Sequence, residues 1–105
     1  MANDTFRALA HPLRRDIVER LSGGGATVGE VARGFDVSKP TISRHLKLLE
    51  DAGVVRREIE GRTHRLALRP EALVEASDWI EMQRQRWERL LDVVGEYLEE
   101  QRAQP

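Results

Sequence analysis

Between Ser38 and Lys47 the chain reads SKPTISRHLK, a run dense in small hydroxyls and positive charge. Ser38, Thr41 and Ser43 supply hydroxyls. Lys39 and Lys47 supply ammonium groups, Arg44 a guanidinium fork and His45 an imidazole. Such groups suit a polyanion with readable edges. A guanidinium can bond O6 and N7 of guanine together, ammonium groups neutralise phosphates, and hydroxyls bond either phosphates or bases. Ile42, Leu46 and Leu49 recur at i, i+4 and i+7, the spacing of one buried helix face. At about 100° per residue, Pro40, Arg44 and Lys47 fall on the opposite side, flanked by Thr41 and Ser43. An ordinary amphipathic surface helix would also turn basic residues outward, so this helix alone leaves both readings open. His45 lies nearer the apolar edge than Arg44, which leaves packing, phosphate holding and base reading open for it.

The neighbouring elements decide between the two readings. Ser38 is placed to cap the helix and Gly53 to end it, giving a recognition helix over 38–53. Two short strands, about Val55–Glu60 and Thr63–Leu68, flank EGR, a hairpin signal in which Gly61 is the turn residue. This wing over 55–68 carries Arg56, Arg57, Arg62, His64 and Arg65. A basic wing beside a basic helix fits a DNA duplex, with the helix in the major groove and the wing tip on the backbone or minor groove. The expected DNA-binding residues are Ser38, Lys39, Pro40, Thr41, Ser43, Arg44, His45 and Lys47 on the helix, with Arg62 and Arg65 on the wing.

Upstream, Asn3 or Asp4 is positioned to cap a first helix reaching Ala10, and Pro12 to open a second with its stripe at Leu13, Ile17 and Leu21. SGGGA (22–26) ends that helix. Thr27 to Glu30 matches the S/T-x-x-E capping box of a third helix reaching about Gly34. FDV is the short turn into the recognition helix. Four helices, a hairpin and a last helix make a single domain over 1–105. The fold class is mainly α with a small β-hairpin wing: a winged helix-turn-helix with a long C-terminal helix.

That last helix runs from Pro70 with no stop signal before Pro105. Leu73, Ile80, Trp87 and Val94 are spaced by seven, and Leu91 and Leu98 add a second row. About 30 residues span roughly 45 Å, more than a core of this size can cover. Such a seam packs against another helix, so 70–100 is the expected dimerisation helix. Its expected interface comprises Phe6, Leu73, Ile80, Trp87, Leu91, Val94 and Leu98. Gln83 to Arg86 interrupt the stripe, which argues against one continuous coiled coil.

The net charge of −1 conceals a division. Residues 1–69 hold thirteen Lys and Arg against nine Asp and Glu, while residues 70–105 hold four against nine. The first part is basic and the last helix acidic. The absence of Cys excludes disulfides, thiolate metal sites and a thiol nucleophile. No apolar run is long enough to span a membrane, and no signal-peptide pattern opens the chain, so a cytoplasmic location is expected. No spacing suggests a catalytic triad or a phosphate loop, so no catalytic residue and no enzyme activity are expected.

FRALAHPLRRDIVERL, TVGEVARGFDVSKPTISRHLKLLEDAGVV and EIEGRTHRLAL together resemble the ArsR family of bacterial winged-helix repressors, from about Phe6 to Leu98. The resemblance implies a homodimeric, operator-binding regulator, usually a repressor that often controls its own operon. It puts the recognition positions on Ser38, Lys39, Thr41, Ser43, Arg44 and His45, and the wing on Gly61, Arg62 and their neighbours. A familiar metal site of the family uses a Cys-x-Cys pair; the matching positions here are Thr27 and Gly29. A second uses His and carboxylates of the last helix, which here has Asp78, Glu81, Glu88 and Asp92 but no His. The chain is therefore similar to the metal-independent members, with no metal site and no cofactor expected. Its expected partners are a double-stranded operator, an imperfect inverted repeat, and a second copy of itself. Two alternatives stand beside this: a winged-helix interaction module without DNA binding, and a repressor answering to a small-molecule or metal inducer.

Overall fold

Local chemistry sets where each helix begins, in a computed structural model that describes residues 2–104. Helix α1 spans Ala2–Leu9 and α2 spans Pro12–Ser22. His11 caps α2: its Nδ1 accepts the backbone N–H of Leu13 at 3.1 Å, and Pro12 follows as the first helical residue. Helix α3, Val28–Arg33, opens on the complete capping box of Thr27 and Glu30. Helix α4, Lys39–Asp51, opens on Ser38, whose hydroxyl accepts the N–H of Thr41 at 3.3 Å. Gly53, at φ +77°, carries the chain out of α4 in a conformation that suits glycine. Helix α5 runs Pro70–Ala103, three residues past the expected end at 100. Pro105, the expected stop, lies outside the described residues.

Two expectations need correction. Neither Asn3 nor Asp4 is a cap, because α1 already begins at Ala2. Asp4 sits inside the first turn, where its charge complements the positive end of the helix. The sheet also has three strands and not two. Ala26–Thr27 forms β1, which pairs antiparallel with β3 (Thr63–Leu68), and β3 pairs with β2 (Val55–Glu60) in the order β1-β3-β2. Ala26 lies opposite Leu66, and both are fully buried. Gly25 permits the close approach: a Cβ there would lie 3.2 Å from the Leu66 carbonyl oxygen.

Helices α2, α3 and α4 and the sheet close over one core of Ile17, Val31, Ile42, Leu46, Leu49 and Leu66. Ala8 of α1 and Ala72 of α5 seal its side. The hairpin register is fixed by Glu60 opposite Thr63, leaving Gly61 and Arg62 as a two-residue loop. Gly61 takes φ +61°, which a type II′ hairpin asks of its first loop residue. Beyond Gln83 every described residue of α5 is exposed, and the molecule measures 78 × 26 × 21 Å because that helix projects. Among the described residues no helix is long and apolar enough to cross a membrane.

Candidate nucleic-acid interface

The burial of Ile42, Leu46 and Leu49, each 0% exposed, fixes the roll of α4. Pro40, Arg44 and Lys47 consequently face solvent, as the angular count requires. The two edges of the helix have different neighbours. On one edge Glu50 receives Arg57 of β2 in a half-buried ion pair at 3.2 Å, so that edge borders the wing. Ser43 and Lys39 share it by helical position. On the other edge His45 receives Arg14 of α2, and Thr41 lies on the same side.

The ten residues expected to meet DNA divide by what already engages them. Lys39, Ser43, Arg44 and Arg62 make no hydrogen bond or ion pair among the described residues. The hydroxyls of Ser38 and Thr41 lie 2.8 Å apart, and Ser38 also holds the cap. Lys47 pairs with Asp51 at 3.2 Å in the open, an arrangement that solvent weakens and a phosphate could displace. Pro40 is exposed and brings no backbone donor. Arg62 stands at the wing tip. Arg65 does not: it projects from β3 on the face opposite His64 and Leu66, its Nη2 donates to the Gly25 carbonyl at 3.4 Å, and its charge acts on Glu30. The structure thus gathers the helix residues into one surface and leaves Arg65 at the β1–α3 corner.

His45 is half-buried, with its ring 4.6 Å from that of His11 and tilted 51° to it. Burial, then the charges of His11, Arg14 and Arg44, lowers its pKa below the usual histidine value. It is therefore neutral near pH 7. Sequence reasoning missed the part of Arg14, which ties α1 to α4. Its Nε donates to the Ala8 carbonyl at 2.6 Å, its Nη2 to that of Arg7 at 3.4 Å, and its Nη1 to His45 Nδ1 at 3.2 Å. The only trace in the sequence is its place three residues before Ile17, at the edge of the buried stripe of α2.

Of the seven residues expected at a dimer interface, Phe6 and Leu73 are half-buried by their own chain. Ile80, Trp87, Leu91, Val94 and Leu98 are 45–61% exposed, along with Leu90, Val93 and Tyr97. Where polar residues interrupt the stripe, Arg84 binds Glu81 at 2.9 Å and also Glu88. Glu81 is held down to about 2, first by its hydrogen bond from Arg84.

Residues 9–58 match the model of a helix-turn-helix domain family. The chain is 36% identical over 78 residues to the transcriptional repressor SdpR of Bacillus subtilis, covering 74% of this chain and 87% of that protein. It is 52% identical over 50 residues to the HTH-type transcriptional regulator Rv2034 of Mycobacterium tuberculosis, 48% of this chain and 47% of that protein. A crystal structure of an ArsR family transcriptional regulator superposes with a TM-score of 0.76 at 40% identity, covering 82% of this chain and 89% of the other. By its similarity to these proteins and the shared fold of that solved structure, the chain belongs to the ArsR family of winged-helix DNA-binding transcriptional regulators.

Proposed function

We propose that this chain is a cytoplasmic, homodimeric repressor that binds an inverted-repeat operator, its own promoter among the targets, without a metal-sensing site. The observation that carries this is the outer surface of α4, where Lys39, Ser43 and Arg44 are free to donate. Arg44 is the base reader, with guanine as its partner; Lys39 and Lys47 neutralise phosphates, and Arg62 reaches the backbone or minor groove from the wing. Repression as the direction of control is supported by the repressor SdpR among its relatives.

The bare apolar arc of α5 supports the dimer. Trp87, Leu91, Val94 and Leu98 would be costly to leave in water, and aromatic residues are enriched at interface cores. A symmetric dimer reading two half-sites one DNA turn apart needs its two α4 helices roughly 34 Å apart. The absence of a metal response is supported by chemistry at two places. The Thr27 hydroxyl is engaged by Glu30, and Gly29 offers no side chain. The last helix, where the second family site would lie, has no His to offer beside its carboxylates.

The test is an anisotropy titration on the DNA upstream of the chain's own gene, at two salt concentrations, with scrambled competitor, zinc or EDTA. Tight binding that resists competitor and ignores both additions is expected. A change in affinity with zinc would overturn metal independence, and equal binding to every sequence would overturn the operator.

A further inference from the structure

The three imidazoles of the chain share one arrangement. In each, Nδ1 faces a group that can only donate. For His11 it is the backbone N–H of Leu13 at 3.1 Å, for His45 it is Nη1 of Arg14 at 3.2 Å, and for His64 it is Nη1 of Arg57 at 3.0 Å. Neither a backbone N–H nor a guanidinium accepts a hydrogen bond. Each Nδ1 is therefore the bare nitrogen, and each neutral ring carries its proton on Nε2. None of the three Nε2 atoms has a partner among the described residues, where no buried side-chain nitrogen or oxygen lacks one. Each of the three Nε2 atoms is therefore at least partly open to solvent.

Two of these donors stand together. The rings of His11 and His45 lie 4.6 Å apart, tilted 51°, at the junction of α2 and α4, on the edge of α4 away from the wing. The charged groups that act on His45 are His11 and Arg14 from α2 and Arg44 from its own helix; none is a carboxylate. An anion is drawn to such a place. With α4 in the major groove, as proposed above, a phosphate backbone runs along each edge of the helix. We propose that His11 and His45 form a two-donor seat for one operator phosphate on the groove edge opposite the wing, with Arg14 as the positioning residue. Arg14 is itself held by the carbonyls of Ala8 and Arg7 at the end of α1, which keeps its Nη1 against Nδ1 of His45. Burial, then the neighbouring positive charges, favours the neutral imidazole at His45, which still donates from Nε2.

The test starts from a duplex selected by the wild-type chain from a random-sequence pool. Single methylphosphonates, which remove one phosphate charge, are then scanned across each half-site. For the wild type, one position on the side away from the wing should cost roughly tenfold in affinity. His45→Asn, which cannot donate from the Nε2 position, should cost a similar factor on normal DNA and lose nothing more at that methylphosphonate. His45→Gln, whose amide nitrogen reaches that position, should keep most of the wild-type affinity and sensitivity. Nitrogen-15 shifts of the imidazoles in the free protein should show Nε2–H at His11 and His45 near pH 7; an Nδ1 proton on His45 would overturn the arrangement. Selected DNA bound by the wild type, but with equal methylphosphonate sensitivity in wild type and His45→Asn, would remove the phosphate seat and leave the operator reading standing. Failure of the wild type to enrich any sequence would remove both.

Discussion

The ring of Phe6 in α1 meets the indole of Trp79 in α5 edge-on, with centroids 5.4 Å apart and planes at 67°. This is the favourable arrangement for two aromatic quadrupoles. It is also where the projecting helix is fastened to the core, since Ala72 and Ala76 are the only buried residues among those described for α5. Phe6→Ala should lower stability by about 1–2 kcal/mol, or roughly 5–10 °C in Tm for a domain of this size. In a double-mutant cycle with Trp79→Ala, the coupling should be about 1 kcal/mol. Thermal melts at one fixed protein concentration measure it. Strict additivity would mean that Phe6 acts through some other surface.

A second relationship, between Thr27 and Glu30, gives a dependence on pH. The Thr27 hydroxyl bond, then the Thr27 backbone bond, lowers the pKa of Glu30 below its usual value of 4.5. A carboxylate with a lowered folded pKa contributes stability that is present above its unfolded value and lost as pH falls through the folded one. Replacement by Gln should therefore destabilise at pH 7, and the difference from wild type should close between about pH 4.5 and the lower folded value. Thr27→Ala should cost about 1 kcal/mol at pH 7, because α3 is only six residues long and contains Gly29. Melting curves at pH 7, 4 and 3 follow both effects; a gap that stays constant with pH would detach Glu30 from the cap.

Features written in contiguous residues were legible in the sequence. The capping box needs only Thr27 and Glu30, and the roll of α4 needs only Ile42, Leu46 and Leu49. The tight hairpin turn needs only Gly61. What was missed depends on pairs far apart in the chain. Two residues of β1 are too few to show alternation, and their partner Leu66 lies forty residues on. The Arg14–His45 bond spans 31 positions, and no periodicity signals it. Arg65 follows the hairpin turn closely, yet the alternation of β3, anchored by buried Leu66, turns it to the face opposite His64 and toward the Gly25 carbonyl.

The free donors on α4 should separate by the kind of loss they cause. Arg44 lies on the outward stripe, so Arg44→Ala should cost about 1–3 kcal/mol on the preferred operator and relax the choice of base at one position. Lys39 lies on the wing-side edge, where a phosphate is its natural partner. Lys39→Ala should weaken all sequences about equally and reduce the slope of log affinity against log salt by about 1. Titrations of both variants on the operator and on a scrambled duplex, each at several salt concentrations, tell these apart. Uniform loss from Arg44→Ala would assign Arg44 to phosphate instead.

Trp87 tests the arc that the chain itself leaves bare. Its side chain is 61% exposed, and Leu91 and Val94 follow on the same face. A carboxylate there loses the indole burial and sets two like charges near a twofold axis, where each would be desolvated against the other. Trp87→Glu should give monomers by sedimentation at micromolar concentration, while α1 to β3 remain folded because their core does not involve this residue. Operator affinity should then fall by far more than any single α4 contact supplies, because each monomer grips one half-site without the other. A stable dimer of Trp87→Glu would move the interface off this face of α5. A monomer that still bound the full operator with wild-type affinity would show that the two half-sites are not read together.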